Sequence, residues 1–181
     1  GLAASNDIAF TGSVYQMFSH GIMTGLFFAL VGLVYEKSHT RDIEAMGGLA
    51  RRMPGIAFAF TIGGLASFGL PGTSGFVAEV LVFLGAFRAH WQEYAVLGVP
   101  LFPVLAVVAV AAIVVTATYV LRLLQRVFHG PLDEAAYGEV PDARTTEWVT
   151  LVVLGGLLVL FGVYPAPLLE LISGSARALL P

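Results

Sequence analysis

Long apolar runs separated by short polar stretches set the pattern of this chain, and four of them are each long enough to cross a bilayer. Spanning takes roughly 20 helical residues. The runs cover about 10–35, 54–87, 100–128 and 147–164, and none reads as a cleavable signal. The first closes on the charged stretch Glu36-Lys-Ser-His-Thr-Arg-Asp42. The second opens on Pro54, a favourable first-turn residue. At 1.5 Å per residue it would be roughly 50 Å long, against a hydrocarbon core of roughly 30 Å. It must tilt, protrude or break, and residues 69–74 supply a break. Pro71 removes a backbone donor, while Gly69, Gly72 and Gly75 weaken the remaining helix. Two half-helices are expected, meeting where protein or trapped water satisfies the freed backbone groups, as in the broken helices of transporters. Past Pro165 and Pro167, residues 168–180 predict a short interfacial helix with Glu170, Ser173 and Arg177 facing water.

The expected fold class is therefore all-α: a polytopic transmembrane helix bundle of about four spans, one of them discontinuous, in a single membrane domain over residues 1–181. Composition agrees. The chain is 57% hydrophobic and 12% charged, with a mean hydropathy of +0.86, values that belong to an integral membrane protein in a lipid bilayer. The absence of cysteine excludes disulfides and thiolate-held iron–sulfur clusters. A net charge of −3 gives no support to a nucleic-acid partner.

Within the first span, Gly21, Gly25 and Gly32 fall on one side and offer close approach to a neighbouring helix. Ser13, Gln16, His20 and Thr24 form a polar stripe, suited either to interhelical hydrogen bonding or to lining a water path. The third span carries Thr116, Tyr119, Arg122 and Arg126 along one ridge, the arginines reading as snorkelling anchors. Trp148 and Tyr164 bracket the fourth span like interfacial anchors. Lys37, Arg41, Arg51 and Arg52 fill the first loop, Arg122, Arg126 and Arg144 lie near the third, and the second has Arg88 alone. The positive-inside rule then puts the first and third loops on the cytoplasmic side and both chain ends, the C-terminus included, on the positive side.

Two ionisable residues fall deep in the membrane. His20 is about 15 Å of helix from Phe10, and Glu79 about 14 Å from Arg88. A charge at that depth costs roughly 2.5–3.5 kcal/mol on insertion scales, so it marks a function or a dedicated partner. Burial favours a neutral carboxyl and a nearby cation the charged one, so Glu79 is suited to taking up and releasing a proton. The plainer readings are a packing carboxyl for Glu79 and a backbone-bonded neutral imidazole for His20. His39, His90 and His129 do not cluster at ligand spacing, so no metal site is expected. No phosphate loop, nucleophile–base pair or cofactor fingerprint appears.

Ser19-His-Gly21, the run Gly32-Leu-Val-Tyr-Glu-Lys-Ser-His-Thr-Arg-Asp42, Gly47-Gly-Leu49, Gly69-Leu-Pro-Gly-Thr-Ser-Gly-Phe-Val-Ala-Glu79 and Tyr119-Val-Leu-Arg-Leu-Leu-Gln-Arg126 occur in this order. Together they resemble the M (chain 4) subunit family of proton-translocating NADH:quinone oxidoreductase, respiratory complex I, over nearly the whole chain. The resemblance implies that these are the last four helices of an antiporter-like subunit. It implies that Glu79 is the acidic residue of the discontinuous helix, exchanging protons with the positive side, and that His20 is the central-axis histidine of a hydrated relay. Related subunits carry lysine at the Glu79 position, which favours M over L, N or the cation/proton antiporters. The lack of a long lateral helix after Pro181 is a further expectation against the L subunit.

The family's earlier glutamate–lysine pair is missing, and the only lysine, Lys37, is expected in a loop. The resemblance therefore implies a C-terminal fragment or one piece of a split subunit, partnered by the missing N-terminal helices and by adjacent complex I membrane subunits. It implies no cofactor on this chain, with NADH, FMN, iron–sulfur clusters and quinone elsewhere in the complex. The implied location is a multi-pass position in the bacterial inner membrane, with a periplasmic C-terminus. A cation/proton antiporter subunit and a purely structural membrane subunit are the alternatives.

Overall fold

The computed structural model describes residues 1–89, 95–96 and 99–179; the side chains of 95–96 and 177–179 are not described, so the Arg177 side chain and all of His90 lie outside the described residues. The chain folds as a bundle of helices: α1 (Asp7–Ser38), α2 (Pro54–Ser67), α3 (Ser74–Arg88), α4 (Leu101–Phe128), the single turn α5 (Glu134–Tyr137), α6 (Thr145–Val163) and α7 (Ala166–Leu179). Between α3 and α4, β1 (Ala95–Val96) pairs antiparallel with β2 (Val99–Pro100). Among the described residues three helices, α1, α4 and α6, are long and apolar enough to cross a membrane, and α2 is a shorter apolar helix. This is an all-α, multi-pass membrane bundle.

Helix ends follow from local chemistry. Asn6 caps α1 by accepting the Ala9 amide at 3.0 Å, and its side-chain amide donates to Gly85 O at 2.8 Å. One residue thus starts α1 and fixes it against α3. At the other end His39, at φ +55°, closes α1 by donating its amide to Tyr35 O at 2.8 Å. Lys37 therefore lies in the last turn of the helix and not in a loop. Its side chain is 2% exposed and its Nζ is 3.1 Å from Glu147 Oε2 at the start of α6. The charged stretch does not end the helix at Tyr35, because a partly buried carboxylate on α6 receives the lysine.

Helix α2 starts on Pro54 and is capped from a distance. Asp142, in the segment before α6, accepts the Gly55 and Ile56 amides at 2.7 and 3.1 Å. Tyr137 donates to Ala45 O at 3.1 Å, and Arg52 pairs with Glu134 at 2.6 Å. The loops joining α1 to α2 and α4 to α6 are thereby tied into one charged end of the bundle. Beneath it lies the main core, with Leu26, Leu30, Met53, Ile56, Phe60, Leu124, Phe128 and Leu158.

Close helix approach occurs where glycine removes a side chain, but at other glycines than the stripe on α1 suggests. A Cβ on Gly12 would lie 2.7 Å from Leu81 Cβ and 2.8 Å from Val82 N, and one on Gly85 would collide with Ala9. These contacts seat α1 on α3. At Gly21 and Gly32 a Cβ would meet nothing within 4 Å, and at Gly25 only Leu154, 3.9 Å away. That face of α1 has no close neighbour among the described residues. Toward the opposite end of the bundle, Ile172 of α7 packs in a cluster with Tyr15 and Ala78, and Ala176 is buried while Glu170 is exposed.

Candidate functional site at the interrupted helix

Residues 68–73 separate α2 from α3. Gly69 (φ +70°) and Gly72 (φ +95°) both take the left-handed backbone that reverses the chain out of the helix. The turn satisfies much of its own backbone. Gly69 N donates to Ala66 O at 3.3 Å and Leu70 N to Leu65 O at 3.1 Å, while Leu70 O accepts both the amide and the hydroxyl of Thr73, at 3.1 and 2.7 Å. Thr73 and Ser74 are buried, whereas Leu70 and Pro71 at the tip are exposed.

Neighbouring helices hold this turn from its inner side. The hydroxyls of Ser19 on α1 and Ser74 on α3 hydrogen-bond at 2.7 Å in a fully buried pair. Tyr15, with no exposed surface, donates to Phe161 O of α6 at 2.6 Å. A Cβ on Gly162 of α6 would collide with the Gly72 carbonyl, so α6 lies directly on the turn. Tyr15 and Gly162 have no role in the sequence reading, and Ser19 enters it only as part of the Ser19-His-Gly21 segment. A lone hydroxyl in an apolar helix was the available signal for Ser19 and Tyr15, but it cannot name its partner.

Glu79 lies in the second turn of α3. Helical side chains lean toward the N-terminus of their own helix, which carries this carboxyl back over the turn. It rests against Gly69: a Cβ there would fall on Oε2 and lie 2.8 Å from Cδ and 3.2 Å from Oε1. Glu79 is half-buried, and among the described residues it has no hydrogen bond and no ion pair.

His20 sits differently. Its ring is exposed, and Thr24 Oγ1 lies 3.5 Å from Nδ1 and 3.4 Å from Nε2. One turn before it, Gln16 Oε1 is buried without a partner. No contact joins His20 to Glu79. The antiparallel register of α1 and α3 explains why: Ser19 faces Ser74, so Glu79 lies five residues, or about 8 Å of helix, further along. The offset concerns the backbone alone: the Glu79 carboxyl reaches back to Gly69 at the turn, and His20 on α1 lies level with that turn. Among the described residues no group of three His, Asp or Glu side chains is arranged to hold a metal ion.

Residues 1–102, which contain α1, both half-helices and the turn between them, match the family model described as NADH:quinone oxidoreductase/Mrp antiporter, TM. The chain belongs to this family. Similarity to members of the NADH:quinone oxidoreductase/Mrp antiporter family continues through α7. The chain is 37% identical over 180 residues to NADH-quinone oxidoreductase subunit M of Rhodobacter capsulatus, covering 99% of this chain and 33% of that protein. It is 34% identical over 179 residues to the F(420)H(2) dehydrogenase subunit M of Methanosarcina mazei, covering 99% and 34%. Among solved structures it matches a chain of respiratory complex I from Thermus thermophilus with bound NADH, at TM-score 0.79 and 31% identity, covering 98% of this chain and 35% of that one. The chain spans about a third of the length of the relatives it matches.

Proposed function

We propose that this chain forms the interrupted-helix part of a proton-translocating membrane subunit of an NADH:quinone oxidoreductase, with Glu79 as the group that loads and releases the proton. One observation carries the reading. In a chain whose other deep or buried charge, Lys37, is matched by a carboxylate, Glu79 rests against irregular backbone with no cation among the described residues. Intramembrane carboxyls without a structural partner are characteristic of proton pathways, and discontinuous helices are where transporters build ion sites.

In this reading His20 continues the path. Its exposed ring faces positions this chain does not fill, and the relatives' remaining length is the natural source of the groups that meet it. Adjacent membrane subunits of the complex complete the relay. Quinone reduction elsewhere in the assembly changes the electrostatics, and Glu79, through water and His20, passes its proton on. NADH, flavin, iron–sulfur clusters and quinone act on other chains. The subunit would sit in the bacterial inner membrane with its loop-bearing charged end toward the cytoplasm and its C-terminus periplasmic, following the distribution of basic residues.

The test is Glu79→Gln in the complete complex, reading proton uptake into inside-out vesicles against NADH oxidation. The expected result is a strong loss of pumping with the complex still assembled. Unchanged pumping would reduce Glu79 to a packing carboxyl.

A further inference from the structure

The two left-handed glycines of the interrupted helix have different surroundings. A Cβ on Gly72 would meet nothing within 4 Å, whereas one on Gly69 would collide with the Glu79 carboxyl. Backbone conformation alone accounts for Gly72. At Gly69 there is a second requirement, because the missing side chain is the space in which Oε2 sits. The Gly69 and Leu70 amides are already bonded to Ala66 O and Leu65 O. The turn therefore gives the carboxyl a contact surface but no donor from these two amides, and leaves its proton free to move.

We infer that Gly69 is a positioning residue for Glu79: its lack of a side chain lets the carboxyl nest against the turn and selects the rotamer from which the proton is exchanged. The inference rests on Glu79 being the proton-exchanging group. A methyl group at residue 69 would drive the carboxyl off the turn, toward the C-terminal part of α3, changing both its surroundings and its distance from groups across the break. Shortening the acid by one methylene would return the lost room.

The experiment compares Gly69→Ala, Gly72→Ala, Glu79→Asp, Glu79→Gln and the double variant Gly69→Ala/Glu79→Asp in the complete complex, with pumping per NADH oxidised followed across pH. Gly72→Ala carries comparable backbone strain in the same turn without touching Glu79. The expected result is that Gly69→Ala loses pumping several-fold and moves the pH midpoint, Gly72→Ala leaves the midpoint in place, and the double variant pumps better than Gly69→Ala alone. Equal pH profiles for the two alanine variants, or no recovery in the double variant, overturn the positioning role. If Gly69→Ala prevents assembly, assembly becomes the readout: recovery by Glu79→Asp supports the contact and its absence overturns it. Loss of pumping in Glu79→Gln alongside either overturning result leaves the proposed function standing, while unchanged pumping in Glu79→Gln removes both.

Discussion

The charged end of the bundle and the interrupted helix treat polar groups in opposite ways. At the charged end they are consumed within the chain: Lys37 meets Glu147 at 3.1 Å, Glu147 also accepts the Arg144 amide at 2.8 Å, and Asp142 takes two amides of α2. At the interruption the backbone and the hydroxyls are largely satisfied, and the ionisable side chains are not. Glu79, His20 and the buried oxygen of Gln16 find no strong partner among the described residues. A charge whose partner is fixed in the same chain holds structure together. One held in place by shape alone stays available to exchange a proton, which is the physical difference between an anchor and a relay group.

The strongest way to break this contrast is to neutralise one ionisable side chain from each region. Glu79→Gln should abolish most pumping while leaving assembly intact, and Lys37→Met should do the reverse. Removing one member of a buried ion pair costs about 3–5 kcal/mol, so the Lys37 variant should show poor recovery of the complex and early thermal unfolding in detergent. If Glu79→Gln is the one that fails to assemble, the two regions are not different in kind. His20→Ala should reduce pumping less than Glu79→Gln, because a water molecule can fill the space of an exposed ring; complete loss in a normally assembled complex would make His20 as indispensable as Glu79.

Smaller effects sharpen the same contrast. Asp142→Ala removes the cap of α2, and a lost cap costs roughly 0.5–2 kcal/mol; the check is a lowered unfolding temperature with the ratio of protons to NADH unchanged. Arg52→Ala should be nearly silent, since its pairing with Glu134 is exposed and such pairs contribute about 0–1 kcal/mol. An Arg52 effect larger than that of Asp142 would mean the charged end is held by its surface pairs and not by its buried ones.

The Lys37 and Gly12 positions show where sequence reading stopped. Lys37 lies in the charged stretch that closes a 26-residue apolar run, so local pattern assigned it to a loop; its burial depends on Glu147, more than a hundred residues away. Glycines at helical spacing identify a face that permits close packing but not the helix that uses it. Here Gly12 and Gly85 make the close contact and Gly21 and Gly32 make none. Likewise, counting 1.5 Å steps from each helix end assigns His20 and Glu79 a depth without aligning their helices; the relative register of α1 and α3 is set by contacts, the Asn6 bond to Gly85 O and the Ser19–Ser74 pair.

The sequence by itself determined that the chain is a membrane-spanning helical bundle and that Gly69, Pro71 and Gly72 occur where the backbone leaves the helix. Those properties are local: hydrophobicity over some twenty residues, and the dihedral freedom or missing donor of single residues. It also drew attention to Glu79, because an acid in an apolar helix is conspicuous without any fold. Tertiary structure alone decided what the carboxyl touches, that Gly69 makes room for it, and that Ser19, Tyr15 and Gly162 hold the turn from behind. These depend on the rotation and register of packed helices, which arise from many long-range contacts at once and leave no periodic trace along the chain.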